Sequence, residues 1–146
     1  MEIAAGIPRR PVRRFRSYKA AGERGREDGE MVSRIIPYLV GDASAAKSFY
    51  VDVLGLEVAM EDPVVCLRSP DNPAAQLIVS PPGMENPEPR FGIDVGEPDA
   101  VDAAHAECMR RGLHIVYPLT NEPWGVRRFF VEDPTGVVIN VLAHLP

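Results

Sequence analysis

The side chains best suited to chemistry in this chain are suited to recognition rather than to proton or metal chemistry. His105, His114 and His144 show no H-x-x-x-H or comparable ligand spacing, so only the fold could bring them together, and singly they read as exposed or hydrogen-bonded. Cys66 and Cys108 form no C-x-x-C pair. They read as small buried hydrophobes of a chain kept in a reducing, cytoplasmic compartment. No Ser-His-Asp or Cys-His grouping is signalled. Gln76 and Asn140, by contrast, are amides at matching places in two similar halves of the chain, each able to donate and to accept. Two readings stay open for them: they orient the polar edges of a ligand, or they satisfy each other or the backbone at an internal symmetry axis. Trp124, the only tryptophan, offers a large rigid stacking face, or else covers the core or a dimer seam. If Phe129 and Val131 pack against a helix, strand alternation turns Arg128 and Phe130 to the opposite side. Glu122, in the turn beside Trp124, reads as a solvated loop charge.

These residues depend on a repeated scaffold. Residues 34 to 58 and 89 to 116 both read strand, V-G-acid, helix, G-L, strand. Val40-Gly41-Asp42 matches Val95-Gly96-Glu97, and Gly55-Leu56 matches Gly112-Leu113. Each half then closes with further strands, so the sequence encodes a duplicated β-α-β-β-β module. Asp42 has the chemistry of a helix N-cap, and Pro98 suits a first helical position. The spacing predicts a first helix with an apolar side of Ala46, Phe49, Val53 and Leu54 ending at Gly55. A second carries Val101, Ala104 and Cys108 and ends at Gly112. Asp133-Pro134-Thr135-Gly136 is written as a type I turn, making the last two strands a hairpin. Alternation places Val138, Asn140 and Leu142 on one face with Ile139 and Val141 against the helix, and likewise groups Ala74, Gln76 and Ile78. One helix per module covers one sheet face, leaving the other to form a cleft shared by the modules.

The 146 residues fit one domain, and 45% hydrophobic content is ordinary for a globular chain. No stretch is long and apolar enough to span a membrane. Residues 1–30 carry eight basic and five acidic side chains, net +3, which leaves −8 for the rest. That segment lacks an apolar h-region and any periodicity, and reads as a disordered basic tail. Arg9, Arg10, Arg13, Arg14 and Arg16 could touch an acidic surface, but with only Phe15 and Tyr18 beside them no nucleic-acid partner is expected. Residues 31–146 are expected to form the domain, with modules at about 33–80 and 88–145 joined by a proline-rich linker.

The runs VGDASAAKSFYVDVLGLEV and EPWGVRRFFVEDPTGVVINVLAH resemble the vicinal oxygen chelate superfamily, which includes glyoxalase I, fosfomycin and bleomycin resistance proteins and extradiol dioxygenases. The resemblance covers about residues 33 to 145. It implies an α+β fold, the glyoxalase/bleomycin resistance fold, in which two tandem β-α-β-β-β modules form a curved mixed sheet around a shared cleft. It also implies where a metal would sit: one His or Glu ligand from the first strand and one from the last strand of each module. The corresponding positions are Ile35, Gln76, Arg90 and Asn140, none a usual ligand. No metal or other cofactor is therefore expected. The W-G-x-R segment, Trp124, Gly125 and Arg127, is similar to one lining the ligand cleft of bleomycin resistance proteins.

The expected site is therefore Gln76, Arg90, Trp124, Arg128, Phe130 and Asn140, binding a small aromatic or amphipathic molecule, with Arg90 clamping an anionic group. The cleft positions named contain no carboxylate or imidazole to move protons, so no catalytic residue is assigned. The function expected is metal-independent small-molecule binding by a homodimer, with drug sequestration, as in antibiotic resistance, as one form of it. The alternatives are a metal-dependent lyase or dioxygenase of the same superfamily and an interaction protein whose cleft is filled by its own side chains.

Overall fold

The computed structural model describes residues 32–146; the basic tail anticipated at 1–30 lies outside them. The order is β1 (Arg34–Val40), α1 (Ala43–Tyr50), β2 (Glu57–Met60), β3 (Val65–Arg68), β4 (Gln76–Ser80), β5 (Phe91–Asp94), α2 (Pro98–Arg110), β6 (Ile115–Glu122), β7 (Val126–Glu132) and β8 (Val138–His144). This is the β-α-β-β-β unit written twice. All eight strands form one mixed sheet in the order β2-β3-β4-β1-β5-β8-β7-β6, which reads the same from either end once the modules are exchanged. Each first strand lies parallel to the last strand of its module, and β1 meets β5 antiparallel with Ile36 opposite Gly92. The pseudo-twofold axis therefore passes through this central pair.

Local chemistry explains the boundaries. The Asp42 carboxylate accepts from the Ala45 amide at 2.7 Å and caps α1, while Pro98 opens α2. After each helix a glycine reverses the chain at positive φ, 79° at Gly55 and 68° at Gly112. The Gly136 amide donates to the Asp133 carbonyl at 3.0 Å, closing the turn between β7 and β8. Pro118 is tolerated inside β6 because that strand is a sheet edge, where register shifts absorb the missing donor.

Both helices lie on the same face. Under α2, Val101 packs with Phe129, Val131, Val141 and Ala143, and Ala104 and Cys108 join it as the sequence predicts. The first helix differs from expectation: Phe49, Val53 and Leu54 are exposed. Ala43, Ala46, Tyr50, Val51 and Leu56 pack instead on Val65, Leu67 and Val79. The helical spacing was sound, but α1 ends at Tyr50 and its inward stripe is rotated by one residue, which leaves 53 and 54 in a terminal turn. Among the described residues no helix is long and apolar enough to cross a membrane.

The opposite face has no helix, yet Ile36 and Phe130 are each only 1% exposed. Side chains of the face itself cover it: the Tyr117 ring centroid lies 4.8 Å from that of Phe130, and Arg128 Cζ lies 4.9 Å from the Phe130 ring. Tyr38 lies across Gly92, where a Cβ would stand 2.9 Å from Tyr38 Cζ, closer still to the hydroxyl, and 3.1 Å from Leu142 Cδ2. Gly92→Ala should cost about 1–3 kcal/mol through this overpacking, read by urea unfolding. Adding Tyr38→Ala should relieve the clash, so a double variant no more stable than its additive expectation would refute this account.

Candidate functional site

Strand register decides which side chains share the face opposite the helices. Arg34, Ile36 and Tyr38 of β1 lie opposite Asp94, Gly92 and Arg90 in the antiparallel pairing. The same face continues through Gln76 and Ile78 on β4, Cys66 on β3, Asn140 and Leu142 on β8, and Arg128 and Phe130 on β7. Of the positions anticipated, Gln76, Asn140, Arg128 and Phe130 are brought together. Ile35 has the parity of Leu39, which packs on the helix side, and is 60% exposed there. It is therefore on the wrong face for the ligand position assigned to it, a one-residue slip that alternation turns into a reversal. Arg90 is exposed just before β5, its backbone bonded to Tyr38 and Val138.

Two guanidiniums, half-buried Arg34 and buried Arg128, organise the face. Arg34 donates through Nε and Nη2 to Asp94 Oδ2 at 2.9 and 2.7 Å, through Nη1 to Gln76 Oε1 at 2.6 Å, and its Nη2 lies 3.1 Å from His144 Nε2. Gln76 also donates to the Pro73 carbonyl at 2.7 Å and lies within 3.6 Å of the Cys66 thiol. Asn140 donates to the Tyr38 hydroxyl at 2.9 Å, so the two amides do not satisfy each other. Asn140 Oδ1 is buried without a partner. Turning the amide over only moves the deficit to its nitrogen, so one end of Asn140 is always buried and unsatisfied.

The second guanidinium, Arg128, is enclosed by the rings of Phe130, Tyr117 and Trp124, whose centroids lie 4.9, 5.1 and 5.2 Å from Cζ. Its Nε donates to Glu122 Oε1 at 2.9 Å and its Nη2 to Glu85 Oε1 at 2.8 Å. Tyr117 donates to the same Glu122 oxygen at 2.6 Å. Burial opposes the charge on Arg128, but hydrogen bonds and charges from Glu85 and Glu122 outweigh it and raise its pKa. Glu122 is thus no solvated loop charge: β6 runs on to it and leaves it 8% exposed. Trp124 itself is 58% exposed, with one side over Arg128 and the rest of the indole free.

Sequence reasoning missed Arg34, Tyr38, Asp94, Glu85 and Tyr117. The signal for the first two was their alternation with Ile36. Asp94 could have been found from its place before the second V-G turn. The β6 register shifts hid Tyr117, and Glu85 lies in a linker without periodicity. The cleft positions named from sequence carried no carboxylate or imidazole; the structure adds Asp94, Glu122 and His144 to the same face.

These groups are poorly placed for proton or metal chemistry. Burial pushes the Tyr38 hydroxyl up, with Asn140, Arg128 and Arg34 offsetting it only in part, and burial likewise raises the Cys66 thiol. Both groups are neutral at pH 7 and neither is an activated nucleophile. Asp94, Glu122 and Glu85 each already serve an arginine. Among the described residues no three His, Cys, Asp or Glu side chains converge to hold a metal ion. With two guanidiniums standing among its donors, the face does not fit a divalent metal.

Comparison with solved structures returns the same architecture. A glyoxalase/bleomycin resistance protein/dioxygenase superfamily member from Vibrio splendidus matches at 20% identity and TM-score 0.51, covering 75% of this chain and 97% of that one. Methylmalonyl-CoA epimerase from Mycobacterium tuberculosis matches at 19% identity and TM-score 0.61, covering 79% and 88%. Homoprotocatechuate 2,3-dioxygenase from Brevibacterium fuscum, as its E323L mutant, matches at 26% identity and TM-score 0.59, covering 81% of this chain but 34% of that one. No curated protein matches. The duplicated module, the sheet order and a family match over residues 33–141 agree: the chain belongs to the Glyoxalase/Bleomycin resistance protein/Dioxygenase superfamily.

Proposed function

We propose that this chain is a metal-independent binding protein that takes a small aromatic or amphipathic molecule on the face opposite its helices, with sequestration rather than turnover as its role. The observation that carries the reading is the unsatisfied end of Asn140, which is 5% exposed. It stands beside Phe130, its direct partner across β7 and β8, in the aromatic group that ends in the exposed Trp124. A planar ligand could stack on the indole and complete the amide. A reducing, cytoplasmic setting suits its two free thiols. Because Trp124 is the only indole, saturable quenching of tryptophan fluorescence by fused bicyclic aromatics is the direct test. Elemental analysis of protein prepared with Ni, Zn, Mn and Fe should find well below one ion per chain. No quenching, or one tightly held metal lost on changing Asp94, would overturn the reading. The burial of Ile36 and Phe130 by their own neighbours favours a second reading, an interaction protein without a ligand, and absence of any thermal shift across the same compounds would select it.

A twofold homodimer accompanies this proposal. Ile35, Phe49, Val53 and Leu54 are each at least half exposed, and their burial would stabilise a closed pair. Light scattering at tens of micromolar should give twice the 16.0 kDa chain mass. A monomer mass there counts against it.

A further inference from the structure

The two carboxylates on Arg128 are not equivalent. Glu122 belongs to β6, its side chain is 7% exposed, and it is also held by Tyr117. Glu85 comes from the linker between β4 and β5, outside both modules, and its side chain is 24% exposed. One guanidinium is neutralised by one carboxylate, so the pair leaves the cage with a surplus negative charge and brings two like charges onto one partner. Glu122 can leave only by opening a strand end, whereas Glu85 can swing into water, where its charge is fully solvated. An incoming carboxylate that took its place would keep both charge-assisted hydrogen bonds of Arg128 intact. The ring carrying that carboxylate would then lie beside Trp124, whose indole is within 5.2 Å of the same guanidinium.

Resting on the aromatic-binding reading above, we propose that Arg128 Nη2 is the docking point for the carboxylate of an aromatic acid, and that Glu85 occupies this point as an intramolecular stand-in until the ligand displaces it. The linker is then a latch: the ligand competes with Glu85, and apparent affinity is reduced by the fraction of chains in which the latch is closed. Neutral aromatics gain nothing from opening it, because they leave Nη2 without an acceptor. Cations likewise gain nothing from opening it, because they offer Nη2 no acceptor and lose the Glu85 charge.

The test is calorimetric titration of the full chain with 2-naphthoate, 2-naphthamide and 2-naphthylmethylammonium, using the wild type, Glu85→Ala and Glu85→Asp. Shortening the arm by one methylene in Glu85→Asp should open the latch as deletion does, and thermal melts check that both variants fold. The expected result is naphthoate binding about tenfold or more tighter to both variants, the worth of one charge-assisted hydrogen bond, with naphthamide affinity unchanged. Naphthoate affinity unaffected by either variant, while naphthamide still binds, overturns the latch and leaves aromatic binding standing. An ammonium compound that binds the wild type better than Glu85→Ala overturns it too, making Glu85 the partner of a cation. If none of the three binds any variant, the aromatic-binding reading fails and takes the latch with it.

Discussion

Replacing Arg34 with leucine should lower the unfolding free energy by about 3–5 kcal/mol, the range for a buried charge deprived of its partner. Arg34 and Asp94 sit opposite one another on β1 and β5, the two strands through which the modules meet. The Asp94 side chain is 6% exposed and that of Arg34 19%, so water screens the pair little. Without the guanidinium, Asp94 retains the Gly96 amide, a 2.9 Å contact at Oδ1, but its Oδ2 loses both donated hydrogen bonds. Gln76 Oε1 loses its 2.6 Å donor as well. The double variant Arg34→Leu with Asp94→Leu should recover most of the loss, since removing both charges also removes the uncompensated burial. Urea titrations of the two single variants and the double close the cycle. Additive losses would mean that the pair is not coupled and that the module junction is held by backbone pairing and Ile36 alone.

How far the site was legible follows from period and distance. The period-2 alternation of β7 and β8 correctly turned Arg128, Phe130 and Asn140 to one face, because Phe129 and Val141 had an unambiguous helix to pack against. On β1 the same rule was anchored to the V-G turn rather than to a packed residue. It slipped by one, naming Ile35 where Arg34 and Ile36 face the cleft. The α1 stripe failed for a related reason: in an eight-residue helix, Phe49 and Tyr50 are both apolar enough to claim the inward position, and tertiary contact chose Tyr50. The partners of the arginines were beyond local pattern altogether. Asp94 is sixty residues from Arg34, and Glu85 forty-three from Arg128. Such pairs are set by sheet closure, which periodicity reports only through the repeat. The repeat itself was readable as two β-α-β-β-β units about a pseudo-twofold axis, whereas the strand order and the antiparallel pairing of β1 with β5 emerge only from the structure.

Arg128→Leu and Trp124→Ala should separate stability from binding. Arg128→Leu leaves Glu122, its side chain 7% exposed, with Tyr117 as its remaining donor, and frees Glu85 with no partner inside the cage. Stability should fall by about 3–5 kcal/mol, and binding of aromatic ligands should be lost along with the organised cage. Replacing Glu122 as well, in Arg128→Leu with Glu122→Leu, should restore much of the stability without restoring binding, which keeps a binding defect from being mistaken for unfolding. Trp124→Ala removes an indole that is 58% exposed, so stability should change by less than about 1 kcal/mol. Affinity should nevertheless drop by roughly 1–3 kcal/mol, about fivefold to 150-fold, as for an aromatic anchor against a bound ring. Calorimetry must carry that measurement, because the fluorescent reporter leaves with the indole. If Trp124→Ala binds as the wild type does, the ligand does not use the exposed indole. If Arg128→Leu unfolds no more easily than the wild type, Glu122 is better hydrated than its burial implies, and the cage is an assembly of rings around a charge that water already satisfies.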